Sequence, residues 1–303
     1  MNYFPIIIFG YNRPKLVKSC LLSLKKYDKL KKHKIYFFCD GPKNDRDRNS
    51  IKKIKKILDL VDIKFDKKYF LEKNYGLAKN IISGVSRVLK KNKAAIILED
   101  DLYLSKNAIP FINFFLNKKK EDKQIGSISA YSYIHNKKFK SNFDCYFLKR
   151  HCSWAWGTWT DRWKNIRWDS YYVAKHFKNK KDILNFDKIG KDLNLLLWAQ
   201  KNKLINSWAI RFNQNCSNNK LLSIQPRYSL VRNNGHGKNA THQRYKKNIF
   251  IKNFFRMRSN FFKKNIKILY HNDINESVRL MHKKSIRLLI FYWINKLKIF
   301  NFK

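Results

Sequence analysis

Acid is the scarce commodity in this chain. Its 303 residues hold 21 Asp and Glu against 67 Lys and Arg, a net charge of +46. Nineteen of those acids lie at or before Asp192, and the next are Asp273 and Glu276. Residues 193–272 carry 16 Lys or Arg and no carboxylate, so acid-dependent chemistry must draw mainly on the first two-thirds. Cysteine is sparse too: Cys20, Cys39, Cys145, Cys152 and Cys216 form no CxxC pair. That excludes a zinc ribbon or a disulfide framework and suits a reducing cytoplasm. No apolar run approaches the ~20 residues of a spanning helix; the longest near the C-terminus is Leu288 to Ile294. The opening MNYFPIIIFGYNRP lacks a basic leader segment and runs straight into a strand pattern, so no signal peptide is expected. With 9 glycines the chain has neither GxGxxG nor GxxxxGK[ST], which argues against dinucleotide-binding and kinase-like sites.

What is present is a foldable chain, 44% hydrophobic and 16% aromatic, long enough to bury a core unaided. Tyr3 to Phe9 is a continuous apolar run, as in a strand covered on both faces. Pro14 suits the first turn of a helix, on which Leu16, Cys20, Leu21 and Leu24 recur with helical spacing. Strands are expected at Ile35 to Cys39, Asp62 to Phe65 and Ala94 to Leu98, with helices at Ile51 to Leu60 and Leu77 to Leu89. This βαβαβαβ order predicts a mostly parallel, Rossmann-type α/β sheet flanked by helices. Farther on, a helix is expected at Ile109 to Phe115, a strand at Ile125 to Ala130, helices around 181–202, and strand-like pieces near 207–212 and 221–231.

Parallel sheets bind ligands at the carboxyl ends of their strands. The residues there are Asn12 and Arg13, Asp40, and Glu99-Asp100-Asp101. Three successive carboxylates repel one another, and a hard divalent ion such as Mn2+ or Mg2+ would relieve that and hold a diphosphate. Acids ahead of a helix serve its dipole equally well. Asp40-Gly41 is either a ribose or base contact or an ordinary turn. Asn74 is placed to cap the helix at Leu77, with Gly76 permitting close approach to a phosphate.

FGYNRP, CDGPKN, KNYGLAKNIISGV, IILEDDLYLS, SISAYSY and CSWAWGTWTDRW, in this order, resemble a bacterial family of GT-A-type sugar-nucleotide glycosyltransferases. The EDD motif also resembles N-acetylglucosaminyltransferase I. The resemblance spans roughly residues 3–245 and implies inverting transfer of a sugar, from a UDP-sugar above all, onto a hydroxyl. It places Asn12, Arg13 and Asp40 in the nucleoside pocket, Asp100 near the ribose and Asp101 on the metal, with Glu99 organising the site. Asn74 joins the donor-binding set. LVRNNGHGKNATHQ offers His236 and His242, and the resemblance favours His242 as a second metal ligand, although Gln243 stands where the family has Cys. SWAIRF implies that Arg211 neutralises the diphosphate, although Asn206 and Phe212 depart from the family's acid and Trp. Inverting transfer needs a base. Asp192, in IGKDLNLLLW, is the first candidate and Asp161, in TDRW, the second. Either could instead cap a helix.

Residues 243–303 carry 16 Lys or Arg and two acids. On a helix, Ile286, Leu289, Ile290, Trp293, Leu297 and Phe300 share one face, which reads as a basic interfacial helix on an anionic membrane surface. The same face could pack on the catalytic domain. The expected organisation is a GT-A-like domain over 1–242, divided near 104 into nucleotide-binding and acceptor halves, with a basic helical extension over 243–303. The expected partners are a nucleotide-sugar, a glycan or lipid-linked acceptor of surface polysaccharide or lipooligosaccharide assembly, and the inner face of the cell membrane. Charge and aromatics also suggest single-stranded nucleic-acid binding, but no RRM, KH, helix-turn-helix or zinc pattern appears, and no nucleic-acid partner is expected. Nucleotidyl transfer on a related fold would need a glycine-rich phosphate loop, which is absent.

Overall fold

The computed structural model describes residues 1–134, 142–235, 266–282, 289 and 292. The first half alternates β1 (Ile6–Gly10), α1 (Pro14–Lys25), β2 (Ile35–Cys39), α2 (Asp45–Leu60), β3 (Lys67–Phe70), α3 (Leu77–Leu89) and β4 (Ala94–Glu99). All five residues of β1 are buried. It lies between β2 and β4, parallel to both, and β3 continues the parallel run beyond β2. Alternate residues of β1 face opposite helices. Ile6 and Ile8 pack with Val17 and Leu21 of α1 and Ile54 of α2, whereas Ile7 and Phe9 pack with Ile81 and Val85 of α3. Pro14 stands in the first turn of α1, where its missing N–H costs nothing.

The second half adds β5 (Leu102–Leu104), α4 (Ala108–Lys118), β6 (Ile125–Ser129), β7 (Cys145–Leu148), β8 (Trp156–Trp159), α5 (Thr160–Lys164), α6 (Ser170–His176), α7 (Lys180–Asp187), α8 (Leu193–Lys201), α9 (Trp208–Asn218), β9 (Leu222–Pro226), β10 (Val231–Asn233), β11 (Ile268–Leu269) and α10 (Asn272–Met281). Among the described residues the main sheet has nine strands in the order β11-β7-β9-β6-β8-β4-β1-β2-β3, and β10 pairs with β5 apart from it. Five of its eight pairings are parallel, so the mostly parallel α/β expectation holds. β8 runs antiparallel to both β4 and β6, which leaves β6 parallel to β4 with its carboxyl end at the same edge.

Several elements differ from expectation. The third strand is Lys67–Phe70, not 62–65; Ile63 and Phe65 pack against the core from the approach to it, and the edge strand itself exposes Lys67 and Lys68. Charged edges of this kind resist pairing with another chain. The stretch 207–212, expected to be strand-like, is the start of α9, helical from Trp208. Ser207 caps α9 by accepting from the Ile210 N–H, and Trp208 and Phe212, one turn apart, enter the same aromatic core as Trp156 and Trp163. Residues 266–282, expected to be part of an extension, add β11 to β7 at the sheet edge, and Ile274 and Val278 of α10 pack on Ile134, Phe143 and Tyr146. Most of the amphipathic pattern at 286–300 lies outside the described residues; Tyr292 meets Trp198 of α8 edge-on at 5.1 Å. No helix among the described residues is long and apolar enough to cross a membrane.

Candidate active site

The parallel strands β1, β2 and β4 bring Tyr11-Asn12-Arg13, Asp40 and Glu99-Asp100-Asp101 to one edge of the sheet. Arg13 ends the turn after β1, where it is the N-cap residue of α1. Its guanidinium bonds Asp100 Oδ1 through Nη2 and reaches Asp101 Oδ2 through Nη1 at 3.2 Å. Burial alone would weaken the Arg13 cation, but the two carboxylates outweigh it and hold its pKa above the ordinary arginine value. Asp100 Oδ2 also accepts from the Tyr11 N–H at 3.4 Å. Burial raises the pKa of Asp100 against the pull of Arg13; burial first, then repulsion from Asp101 and Asp100, raises that of Glu99.

Beyond Asp101 the chain turns into β5, and β10 returns antiparallel along it with Asn233 opposite Leu102. The Asn234 N–H donates to the Asp101 carbonyl at 2.7 Å. A Cβ on Gly235 would fall 2.5 Å from Asp101 Oδ2, so only glycine lets the backbone pass this close to the carboxylate. His236 and His242 follow directly in sequence and lie outside the described residues.

Two further aspartates organise the edge. Asp40 is buried and accepts from the N–H groups of Gly41, Tyr75 and Gly76 at 2.9, 2.9 and 2.8 Å. These bonds clamp the loop before α3, and they engage both oxygens of a carboxylate expected to face a nucleoside. Asn74 does not cap α3. Its amide donates to the Gly41 carbonyl at 2.8 Å, while Gly76, at φ 82°, is the N-cap residue. Gly41 is needed for the same contact, because a Cβ there would fall 2.4 Å from the Lys73 backbone.

Asp47 was missed from the sequence. It is buried in the first turn of α2, where it accepts from Tyr11 Oη at 2.5 Å and Asn12 Nδ2 at 2.7 Å. Burial would raise its pKa, but these hydrogen bonds prevail and hold the carboxyl below its ordinary range. Its one sequence signal is the capping spacing Asn44-x-x-Asp47, which gives no hint of the loop it grips.

The remaining candidates have partners of their own. Trp159 pairs with Ala94, so Asp161 sits beyond the amino end of β4, about 17 Å of strand from Glu99. Its oxygens bond Lys123 at 2.7 Å and Arg162 at 2.8 Å. The antiparallel direction of β8 thus removes Asp161 from the acidic edge. Asp192 is the N-cap residue of α8, yet its side chain caps nothing. Both its oxygens instead meet Arg150, at 2.8 and 2.9 Å. A Cβ on Gly190 would lie 2.2 Å from Arg150 Nη1 and 2.8 Å from Asp192 Oδ1, so a side chain there would press on this ion pair. Arg211 occupies a groove between α3 and α9, lining a cavity of about 300 Å³ with Lys79, Ile82, Ser83 and Asn206. It donates to the carbonyls of Ser207 and Trp168 and to Asn206 Oδ1 at 3.1, 2.9 and 3.0 Å, and it forms no ion pair with the acid cluster.

The acid cluster offers oxygen ligands of the kind that a hard cation takes. Three consecutive carboxylates are answered by one bonded cation, Arg13, and the Asp101 oxygen is cradled by a glycine. Among the described residues no group of three His, Cys, Asp or Glu is placed to hold a metal ion, and Asp101 is the candidate ligand among them.

Residues 6–185 match the family model described as Glycosyl transferase family 2. The chain belongs to that family. Its GT-A-like fold, a mostly parallel sheet flanked by helices, agrees with this membership. No curated protein matches the chain by sequence. Among solved structures, S. aureus TarS 1-349 is 14% identical with a TM-score of 0.39, covering 55% of this chain and 50% of that one. The chain thus spans half the length of that relative. The mannosyltransferase PcManGT from Pyrobaculum calidifontis, in complex with GDP-Man and Mn2+, is 8% identical with a TM-score of 0.39, covering 73% and 70%. GalNAc-T7 with UDP, GalNAc and Mn2+ is 9% identical with a TM-score of 0.38, covering 55% and 37%.

Proposed function

We propose that this family member is a metal-dependent inverting glycosyltransferase that moves a sugar from a nucleotide diphosphate, UDP first, to a hydroxyl of a glycan or lipid-linked acceptor in surface polysaccharide or lipooligosaccharide assembly. The observation that carries the reading is the acid cluster at the carboxyl end of β4, bonded to Arg13 and covered by Gly235. Asp101 would hold a divalent cation, Mn2+ or Mg2+, with His242 as its partner. Bound there, the cation supplies positive charge to the departing diphosphate. Asn12, Arg13, Asp40, Asn74 and Asp100 shape the donor pocket, Asp40 and Asn74 by fixing the loop ahead of α3. Arg211 adds positive charge in the groove beside α3.

Asp192 is the proposed base. As the acceptor oxygen bonds to the anomeric carbon, its proton passes to Asp192 and the carbon–oxygen bond to the diphosphate breaks. The pair with Arg150 fixes the direction of the carboxylate, which does not cap its helix. A membrane-linked acceptor, met at the cytoplasmic membrane face, is supported by the interleaved basic and apolar residues of 286–300.

Thermal-shift titration with UDP-, GDP-, CMP- and dTDP-sugars, with and without Mn2+, tests the reading. Stabilisation by one sugar nucleotide that requires Mn2+, and that Asp101→Asn abolishes, is the expected result. Salt-dependent oligonucleotide binding with no response to any sugar nucleotide would overturn it.

A further inference from the structure

The acid cluster already has a cation of its own. Arg13 bridges Asp100 Oδ1 and Asp101 Oδ2, and the latter is the oxygen that Gly235 cradles. A metal ion on Asp101, through either oxygen, meets that guanidinium on the same carboxylate, and two cations on one carboxylate repel. Asp100 keeps a second bond when the guanidinium leaves, because the Tyr11 N–H donates to its other oxygen at 3.4 Å. The Arg13 main chain is fixed between β1 and the Pro14 turn of α1, so only its side chain can give way. That side chain is 24% exposed, against 3% for Asp100 and 14% for Asp101, so its route outward is open.

We propose, building on the glycosyltransferase reading above, that Arg13 is the internal counter-ion of the acid cluster, displaced when a divalent cation binds and taken up by the donor diphosphate. A planar guanidinium suits paired phosphate oxygens as well as it suits carboxylates. Metal alone costs Arg13 its bond to Asp101 and supplies no new anion in its place. Metal arriving with a nucleotide diphosphate gives Arg13 a new anionic partner. The two ligands consequently bind with positive coupling, part of which resides in this one side chain.

The test is a Mn2+ titration of the full chain, read by electron paramagnetic resonance, with and without UDP, for the wild type, Arg13→Gln and Arg13→Lys. Without UDP, Arg13→Gln binds Mn2+ about tenfold more tightly than the wild type, and Arg13→Lys falls between, because an ammonium does not span both acids. UDP then raises Mn2+ affinity less in Arg13→Gln than in the wild type; chelation of Mn2+ by the diphosphate itself is common to both and cancels in the comparison. Equal or weaker nucleotide-free Mn2+ binding by Arg13→Gln overturns the proposal. If circular dichroism shows Arg13→Gln unfolded, Arg13→Lys carries the test, and an unchanged affinity there overturns it. A wild type that binds Mn2+ with UDP while its variants behave identically defeats only this inference. Absence of Mn2+ and UDP binding in the wild type defeats the function reading and this inference together.

Discussion

The two halves of the sheet handle polar groups in opposite ways. From β1 to β4 every strand runs in the same direction, so each strand end delivers its polar residues to one edge, where Asp40, Asp47, Asp100 and Asp101 meet loops and one another. From β5 onward the strands reverse repeatedly, and the organising groups are aromatic. Trp156 stacks on Trp208 at 5.1 Å, with Trp163, Phe212 and His151 around them. Carboxylates there, Asp161 and Asp192, each pair with an arginine, and the Arg162 N–H also donates to Asp161. Uniform strand direction gathers charge into a site; alternating direction disperses it and leaves aromatic packing to hold the layers.

Breaking the aromatic half has the largest expected effect on folding. Trp208→Ala removes a 3% exposed ring from the stack and should cost about 3–5 kcal/mol, read from urea denaturation. A loss under about 1 kcal/mol would show that the stack is not the support of this half. Asp192→Asn tests whether the acceptor half contributes a base. Transfer should slow about 100-fold, and the thermal midpoint should fall too because buried Arg150 loses its charge partner, so rates are compared where circular dichroism shows the variant folded; a loss below about tenfold moves the role to another group. Asp40→Ala attacks the nucleotide half by leaving the Tyr75 and Gly76 N–H groups unpaired. A cost of about 1–3 kcal/mol is expected, with weakened donor binding, and donor binding unchanged in a folded variant would separate the clamp from the site.

The smallest effect is a pH slope that belongs to the aromatic half. Burial, aided by Arg150, lowers the His151 pKa from 6.5 to about 3. The unfolded chain therefore takes up a proton that the folded one refuses between those values. Stability from this residue is complete above pH 6.5 and falls as pH drops toward 3, by at most about 1.4 kcal/mol per pH unit. The thermal midpoint measured from pH 7 to 5 should decline less steeply in His151→Asn than in the wild type. Parallel curves would assign the decline to other groups.

Much of the parallel half was legible in the sequence because its strands are continuous apolar runs closed by Pro14, Gly41-Pro42 and Glu99. β3 was misplaced because a four-residue edge strand with two exposed lysines carries almost no pattern. The Trp208–Phe212 stretch read as a strand because a five-residue window of large apolar residues fits either period. The acid triplet was legible as a cluster, but its partner Arg13 was visible only as a neighbour of the nucleoside pocket. Asp40 showed as a turn residue, and nothing local reveals that residues 75 and 76 return to it. Asp161 was misjudged for a reason outside its own neighbourhood: the direction of β8 decides which end of the sheet it reaches.

The placement of β9 and β10 bears on biogenesis. β9 is inserted between β6 and β7, although it is made after both, and β10 reaches the acid cluster only after that. On a ribosome, β6 and β7 emerge with no partner between them, and the Asp101 carbonyl lacks its bond from Asn234 until the chain has grown to that residue. Such late, non-local closure slows folding and exposes unpaired strand edges in the interim. The stretch matched by the family, 6–185, ends before either strand is made, so a fragment cut at that boundary would emerge with an open sheet and an uncovered acid site.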